Sequence, residues 1–300
     1  MTVSHKVSPV FRLLLPAFVV ILVVVAVPLV FSFYTSFTSY RLTRPDSILN
    51  VIGFKNYVRL FGSAEFWAAL LRTIAFLTVV LNLEMLFGLG IALLVNQVTR
   101  GQRAIRTIIM FPMMFSPILV GFQFKFMFND NIGIVNHILQ RVFGVTQAIP
   151  WLVDGRLAFV SLALAEIWNS TAVFAILLLA GLMAMPQDPI EAAKVDGCTS
   201  WQAFRHVTLP FLMPFIYIAM TIRSLDVGRA FDIVKIMTDG GPAGRTELIW
   251  TLSARAGYED ARMGYANAMS YIAVLLSIAF TLYFFRKLTA ARQFLDEADA

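Results

Sequence analysis

The sequence predicts an all-α membrane protein with about six transmembrane helices. Three observations predict it. Hydrophobic residues fill 59% of the 300 positions and charged residues only 14%, against roughly 25% charged in an ordinary soluble domain. The apolar residues gather into runs of about 20, the length a helix needs to cross hydrocarbon. Basic residues mostly flank those runs, where interfacial anchors belong. A β-barrel would read as strands of about ten residues with alternating polarity, and nothing here alternates. The net charge of +6 is not a nucleic-acid signature, because no basic block is present.

The spans are expected at residues 12–37, 70–95, 105–128, 157–183, 211–231 and 266–285. The first follows a basic start (His5, Lys6, Arg12) and runs longer than the apolar region of a signal peptide, with no small-residue cleavage site after it. It reads as a retained span. Pro16, Pro28, Pro112 and Pro117 fall inside spans. Neighbouring helices satisfy freed backbone groups in a bundle, so kinks are the expectation, with gating hinges the sharper alternative. Arg100, Arg103 and Arg106 crowd a short loop between the second and third spans, which places that loop in the cytoplasm. His5, Lys6, Arg12, Arg286, Lys287 and Arg292 agree, while Arg41, Arg44, Lys55 and Arg59 on the opposite side dilute the signal. The organisation is then a cytoplasmic N-terminus (1–11), a transmembrane domain (12–286) and a cytoplasmic tail (287–300), with both termini cytoplasmic.

The loop at residues 186–210 is not linker-like. Asp188-Pro189 suits a helix start, with aspartate at the cap and proline in the first turn. Glu191, Ala192, Ala193 and Lys194 continue a helix, and Gly197 interrupts it. Trp201, Phe204 and Val207 recur every third residue as one apolar stripe, and Pro210 is expected to end it where the fifth span begins. Two short helices about a glycine, near the membrane surface, suit docking to another protein.

No phosphate-binding loop, nucleophile elbow or zinc-protease motif occurs, so an enzyme of soluble type has no support. Cys198 is the only cysteine and the three histidines are far apart, which leaves no metal-ligand spacing. Asn169-Ser170-Thr171 matches a glycosylation sequon but lies within a span. Ionisable and polar residues within spans are the better pointers, because charge in hydrocarbon is costly. Glu84 stands alone in the second span; Glu166, Trp168, Asn169, Ser170 and Thr171 form a polar patch in the fourth. Arg223, Asp226, Arg229 and Asp232 are spaced by three and would form a ridge on the fifth. Arg–Asp pairs that fix helix packing are one reading; a polar lining for a hydrated substrate pathway, bordered by Glu166, Asn169, Arg223, Asp226 and Arg229, is the other. Trp168 beside Asn169 suits a sugar, an aromatic face for its C–H groups and an amide for its hydroxyls; an interfacial tryptophan is the plainer alternative.

Glu191-Ala192-Ala193-Lys194-Val195-Asp196-Gly197, followed by eleven residues and Leu209-Pro210, resembles the EAA motif of binding-protein-dependent ABC importer permeases. Pro16 through Tyr40, Gly53-Phe54-Lys55-Asn56-Tyr57 and the stretch from Phe231-Asp232 to Thr238-Asp239-Gly240-Gly241-Pro242, with Thr246 after it, are similar to the carbohydrate branch, the maltose- and trehalose-type permeases. The resemblance implies a type I ABC importer permease fold and a multi-pass subunit of the bacterial inner membrane that imports a mono- or disaccharide or polyol, with an acidic sugar still open. It implies a second permease subunit, two ABC ATPase subunits and an extracytoplasmic sugar-binding protein as partners. ATP and magnesium would sit on the ATPases, and this chain would carry no cofactor. Glu191, Ala192, Ala193, Asp196, Gly197, Leu209 and Pro210 would belong to the ATPase-coupling segment, with Trp201 and Phe204 holding it against the bundle. Asp232, Thr238, Gly240, Gly241 and Pro242 would shape an external loop. The alternative is a secondary transporter driven by an ion gradient, whose intramembrane carboxylates would serve as a relay.

Overall fold

The computed structural model describes residues 9–227 and 230–298, with side chains over 13–291 apart from 228 and 229; Arg229 therefore lies outside the described residues. The described residues are helical, without a β-strand. In order they form α1 (Leu13–Ser36), α2 (Lys55–Phe61), α3 (Ala64–Asn96), α4 (Gln102–Met110), α5 (Pro117–Met127), α6 (Ile134–Phe143), α7 (Gly155–Ala184), α8 (Asp188–Val195), α9 (Ser200–Val227), α10 (Asp232–Met237), α11 (Ile249–Ala254) and α12 (Met263–Ala298). Five of these, α1, α3, α7, α9 and α12, are long and apolar enough to cross a membrane.

The prolines explain where helices break and where they do not. In the region expected as a third span, Pro112 and Pro117 divide the chain into α4, a single tight turn at Pro112–Met114, and α5. Ser116 is extended (φ −61°, ψ 140°), the conformation a following proline imposes. Elsewhere the helix absorbs the proline. A widened turn at Leu22–Ala26 spans the residue four before Pro28, and another at Phe204–Thr208 spans the residue four before Pro210. Each lies where the pyrrolidine ring removes a hydrogen bond and crowds a carbonyl. Pro210 therefore does not end a helix: α9 runs through it, so the second loop helix is continuous with the fifth span.

The chain divides into two compact units, Met1–Phe66 with Ser253–Ile272, and Trp67–Leu252 with Ala273–Ala300. In the first, the end of α1 is pinned by side chains. Asn56 Nδ2 donates to the carbonyls of Ser36 and Thr38, both at 2.8 Å. Asn267 Nδ2 donates to Thr35 Oγ1 at 2.7 Å, and the Tyr57 and Ser36 hydroxyls lie 2.9 Å apart. Phe33, Phe37, Phe54, Tyr57 and Tyr271 pack as one aromatic group around this knot.

In the second unit, α3 and α7 run side by side in the same direction. Phe76 meets Phe159 edge-on at 5.5 Å, and further along Gly88 abuts Phe174 and Ala175. A Cβ on Gly88 would lie 3.0 Å from the Ala175 backbone nitrogen, so glycine permits this approach. Leu212 and Phe215 of α9 close on Gly181 of α7, and α10 packs on α5 at Gly121. Phe76, Leu77, Leu81, Leu162, Phe174, Leu178 and Leu212 form the fully buried centre. Asp154 caps α7, accepting from the backbone N–H groups of Arg156 (2.9 Å) and Leu157 (3.0 Å). Those two donors hold its carboxyl below the usual carboxylate range.

Candidate functional site

The polar residues of three long helices converge inside the second unit. Arg223 of α9 faces Glu84 of α3 in a two-point contact, Nε to Oε2 at 3.0 Å and Nη2 to Oε1 at 2.8 Å. The same Nη2 reaches Glu166 Oε1 of α7 at 2.8 Å, and Nη1 lies 3.5 Å from Asp226 Oδ2. Glu84 is fully buried, and Arg223 and Glu166 nearly so, at 5% and 8% exposure. Asp226 is half open to the surroundings. One guanidinium thus meets three carboxylates, with its fork matched to one of them.

Beside this cluster lies a cavity of about 370 Å³, walled by Pro117, Glu166, Asn169, Ser170, Asp226 and Asp232 among others. Its size falls within the roughly 300–1,000 Å³ of small-molecule sites. Asn169 Nδ2 donates to the Pro112 carbonyl at 2.9 Å, so the broken segment between α4 and α5 is tied to the cavity wall. Of the polar patch on α7, then, Glu166, Asn169 and Ser170 face the cavity. Thr171 does not: its hydroxyl donates back to the Ile167 carbonyl at 2.6 Å. Nor does Trp168 line it; the indole stacks on Phe115 (6.3 Å, 28°) and packs on Phe124 (5.6 Å).

Two sequence expectations change here. Glu84 does not stand alone, since it holds Arg223 from 139 residues away. And the four-residue ridge is not on one helix, because α9 ends at Val227 and Asp232 begins α10. Asp232 still reaches the cavity wall, from a different element.

The loop at 186–210 is two helices locked about a glycine. α8 begins at Asp188, with Gln187 rather than Asp188 in the cap position and no side-chain cap bond. Gly197 sits at φ +79°, the left-handed region where glycine carries no side-chain penalty. Its N–H reaches the Lys194 carbonyl at 3.1 Å, and the Cys198 N–H reaches Ala193 at 2.9 Å, the paired bonds of a Schellman stop. Thr199 and Gln202 then form a reciprocal capping box for α9. The Thr-x-x-Gln spacing in the sequence carries that signal. Glu191, Ala192 and Asp196 are exposed and Ala193 is buried. Trp201 is 66% exposed, so it does not hold the loop against the bundle as expected; its ring packs, tilted, on the half-buried Phe204 at 5.5 Å.

The stretch from Thr238 to Thr246 is a structural loop. The two threonine hydroxyls lie 2.8 Å apart, and Thr246 Oγ1 donates to the Gly241 carbonyl at 2.5 Å. Gly240 is left-handed (φ +78°) and the Gly241–Pro242 peptide is cis.

The family model described as the inner membrane component of binding-protein-dependent transport systems matches residues 84–293. The probable ABC transporter permease protein y4oQ of Sinorhizobium fredii is 34% identical over 274 residues, 91% of this chain and 88% of that one. The trehalose/maltose transport system permease protein MalF of Thermococcus litoralis is 33% identical over 276 residues, 92% of each. A chain in the crystal structure of a bacterial ABC transporter that imports the acidic polysaccharide alginate has the same fold, with a TM-score of 0.79 over 95% of each chain at 23% identity. The chain therefore belongs to the family of inner membrane components of binding-protein-dependent transport systems, the permease subunits of ABC importers.

Proposed function

We propose that this chain is a permease subunit that imports a neutral sugar or polyol across a bacterial inner membrane, driven by ATP hydrolysed on partner subunits. The observation that carries the reading is the exposed helix–glycine–helix segment at 188–203, a rigid docking element on a chain without a nucleotide-binding motif. The ATPases would receive it, with Glu191 making a charge-assisted contact to a basic residue. The relative named for trehalose and maltose supports a sugar. So does a cavity walled by carboxylate, amide and hydroxyl groups, which match sugar hydroxyls. Neutral charge is favoured because Arg223, the cation at the cavity among the described residues, is already held by Glu84 and Glu166. An anionic sugar would meet Glu166, Asp226 and Asp232 instead.

In this reading a second permease, two ATPases carrying ATP and magnesium, and an external sugar-binding protein complete the machine. Both termini and the 186–210 loop lie in the cytoplasm. ATP binding biases a bundle with two arrangements, inward- and outward-open, through the loop.

The test is ATPase activity of the reconstituted complex, with its loaded binding protein, across neutral sugars, polyols and uronates. A neutral sugar should stimulate it, and Glu191→Ala should lose the stimulation while the permease still inserts. Stimulation by uronates alone would overturn the neutral assignment, and normal transport by Glu191→Ala the coupling assignment. Uptake driven by an ion gradient with no ATPase present would replace the importer with a secondary carrier.

A further inference from the structure

The first compact unit holds a second cavity, of about 260 Å³, that the transport reading does not use. Its wall includes Tyr40, Arg41, Lys55, Arg59, Arg262 and Tyr265. Four cations around so small a space repel one another unless something anionic lies between them. The protein supplies little. Arg262 pairs with Asp260 and its guanidinium lies 5.3 Å from the centre of the Tyr265 ring. Among the described residues Arg41, Lys55 and Arg59 have no carboxylate partner. Glu65, the nearby acid of α3, is taken by Arg255.

The frame under these cations is rigid. Asn56, also in the wall, spends its amide donors on the Ser36 and Thr38 carbonyls. The Gly264 N–H donates to Tyr40 O and the Leu42 N–H to Ala261 O, both at 3.0 Å, which stitches the segment after α1 to the start of α12. A fixed basic concavity has the donors a tetrahedral oxyanion needs, with the arginine forks matched to phosphate.

We propose that this cavity binds a phosphate group. The cavity lies where α1 ends and α12 begins, the level at which tyrosine and basic side chains meet lipid headgroups. A phospholipid headgroup and a free phosphate share the chemistry, and the test separates them.

The full-length protein, purified in detergent, is heated with inorganic phosphate against chloride at matched ionic strength. In a parallel arm it is embedded in nanodiscs with and without phosphatidylglycerol, in phosphate-free buffer. A ligand of the folded state raises the unfolding midpoint. A rise with phosphatidylglycerol assigns the headgroup, and a rise with inorganic phosphate alone assigns the free anion. The rise should vanish in Arg41→Gln/Lys55→Gln/Arg59→Gln and persist in Arg100→Gln/Arg103→Gln. If the triple variant does not fold, Lys55→Gln and Arg59→Gln separately should weaken phosphate binding about two- to fivefold each, as loss of one partly exposed charge contact does. No rise with either ligand in the unaltered protein, or an equal rise after removal of the three cations, overturns the proposal.

Discussion

At the scale of single residues, the informative case is Arg223. Its guanidinium is buried and bound to two buried carboxylates, so the group is stable only as a set. Removing one partner of a buried ion pair leaves charge without compensation and costs about 3–5 kcal/mol. Arg223→Met should therefore lower the thermal midpoint of the detergent-purified protein sharply, and adding Glu84→Gln and Glu166→Gln should restore much of it. An Arg223→Met protein as stable as the parent would show that the cluster contributes little. The sequence marks Glu166, Asn169 and Arg223 as polar residues within spans, which is all that a local reading can see. That Glu84 is the two-point partner of Arg223 is not legible, because 139 residues separate them and no periodicity links two helices. Trp168 shows the converse limit. Adjacency to Asn169 suggests a shared face, yet successive helix positions point about 100° apart, so the indole joins Phe115 and Phe124.

At the scale of elements, hydropathy locates the long helices because a run of 20 apolar residues has few other solutions. What hydropathy does not resolve is how each proline is accommodated. At Pro112 and Pro117 the segment breaks, whereas α9 continues through Pro210 and Pro214, which lie closer together. Pro28 and Pro210 are absorbed by widened turns. The composition is the same in both cases and the outcome depends on neighbours, such as the Asn169 amide that takes the Pro112 carbonyl. Packing between α3 and α7 gives a sharper test. Gly88→Leu forces a side chain into the Phe174–Ala175 backbone and should cost about 1–3 kcal/mol, the usual penalty of overpacking. Gly90, two residues on, has open space around its Cβ position, so Gly90→Leu should leave stability unchanged or raise it. Equal thermal midpoints for the two variants would contradict the close approach.

At the scale of the whole molecule, the proposed orientation in the membrane rests on arginine density, and the chain contains its own reporter. Cys198 is the only cysteine and is exposed beside Gly197 in the 186–210 loop. A membrane-impermeant maleimide should label it in inverted vesicles and not in intact spheroplasts. Labelling from the outside would place the loop, and with it the proposed ATPase contact, on the wrong face.

The three-helix ion cluster also bears on how the protein is made. A chain inserted from its N-terminus delivers Glu84 first, Glu166 eighty-two positions later and Arg223 last of the three. Until the helix bearing Arg223 arrives, the bilayer or the insertion machinery must hold two carboxylates without the arginine that pairs with them in the folded protein. The order of synthesis thus sets a window of vulnerability that closes when one arginine enters, and a ribosome stalled short of position 223 would leave a half-built bundle ready for degradation.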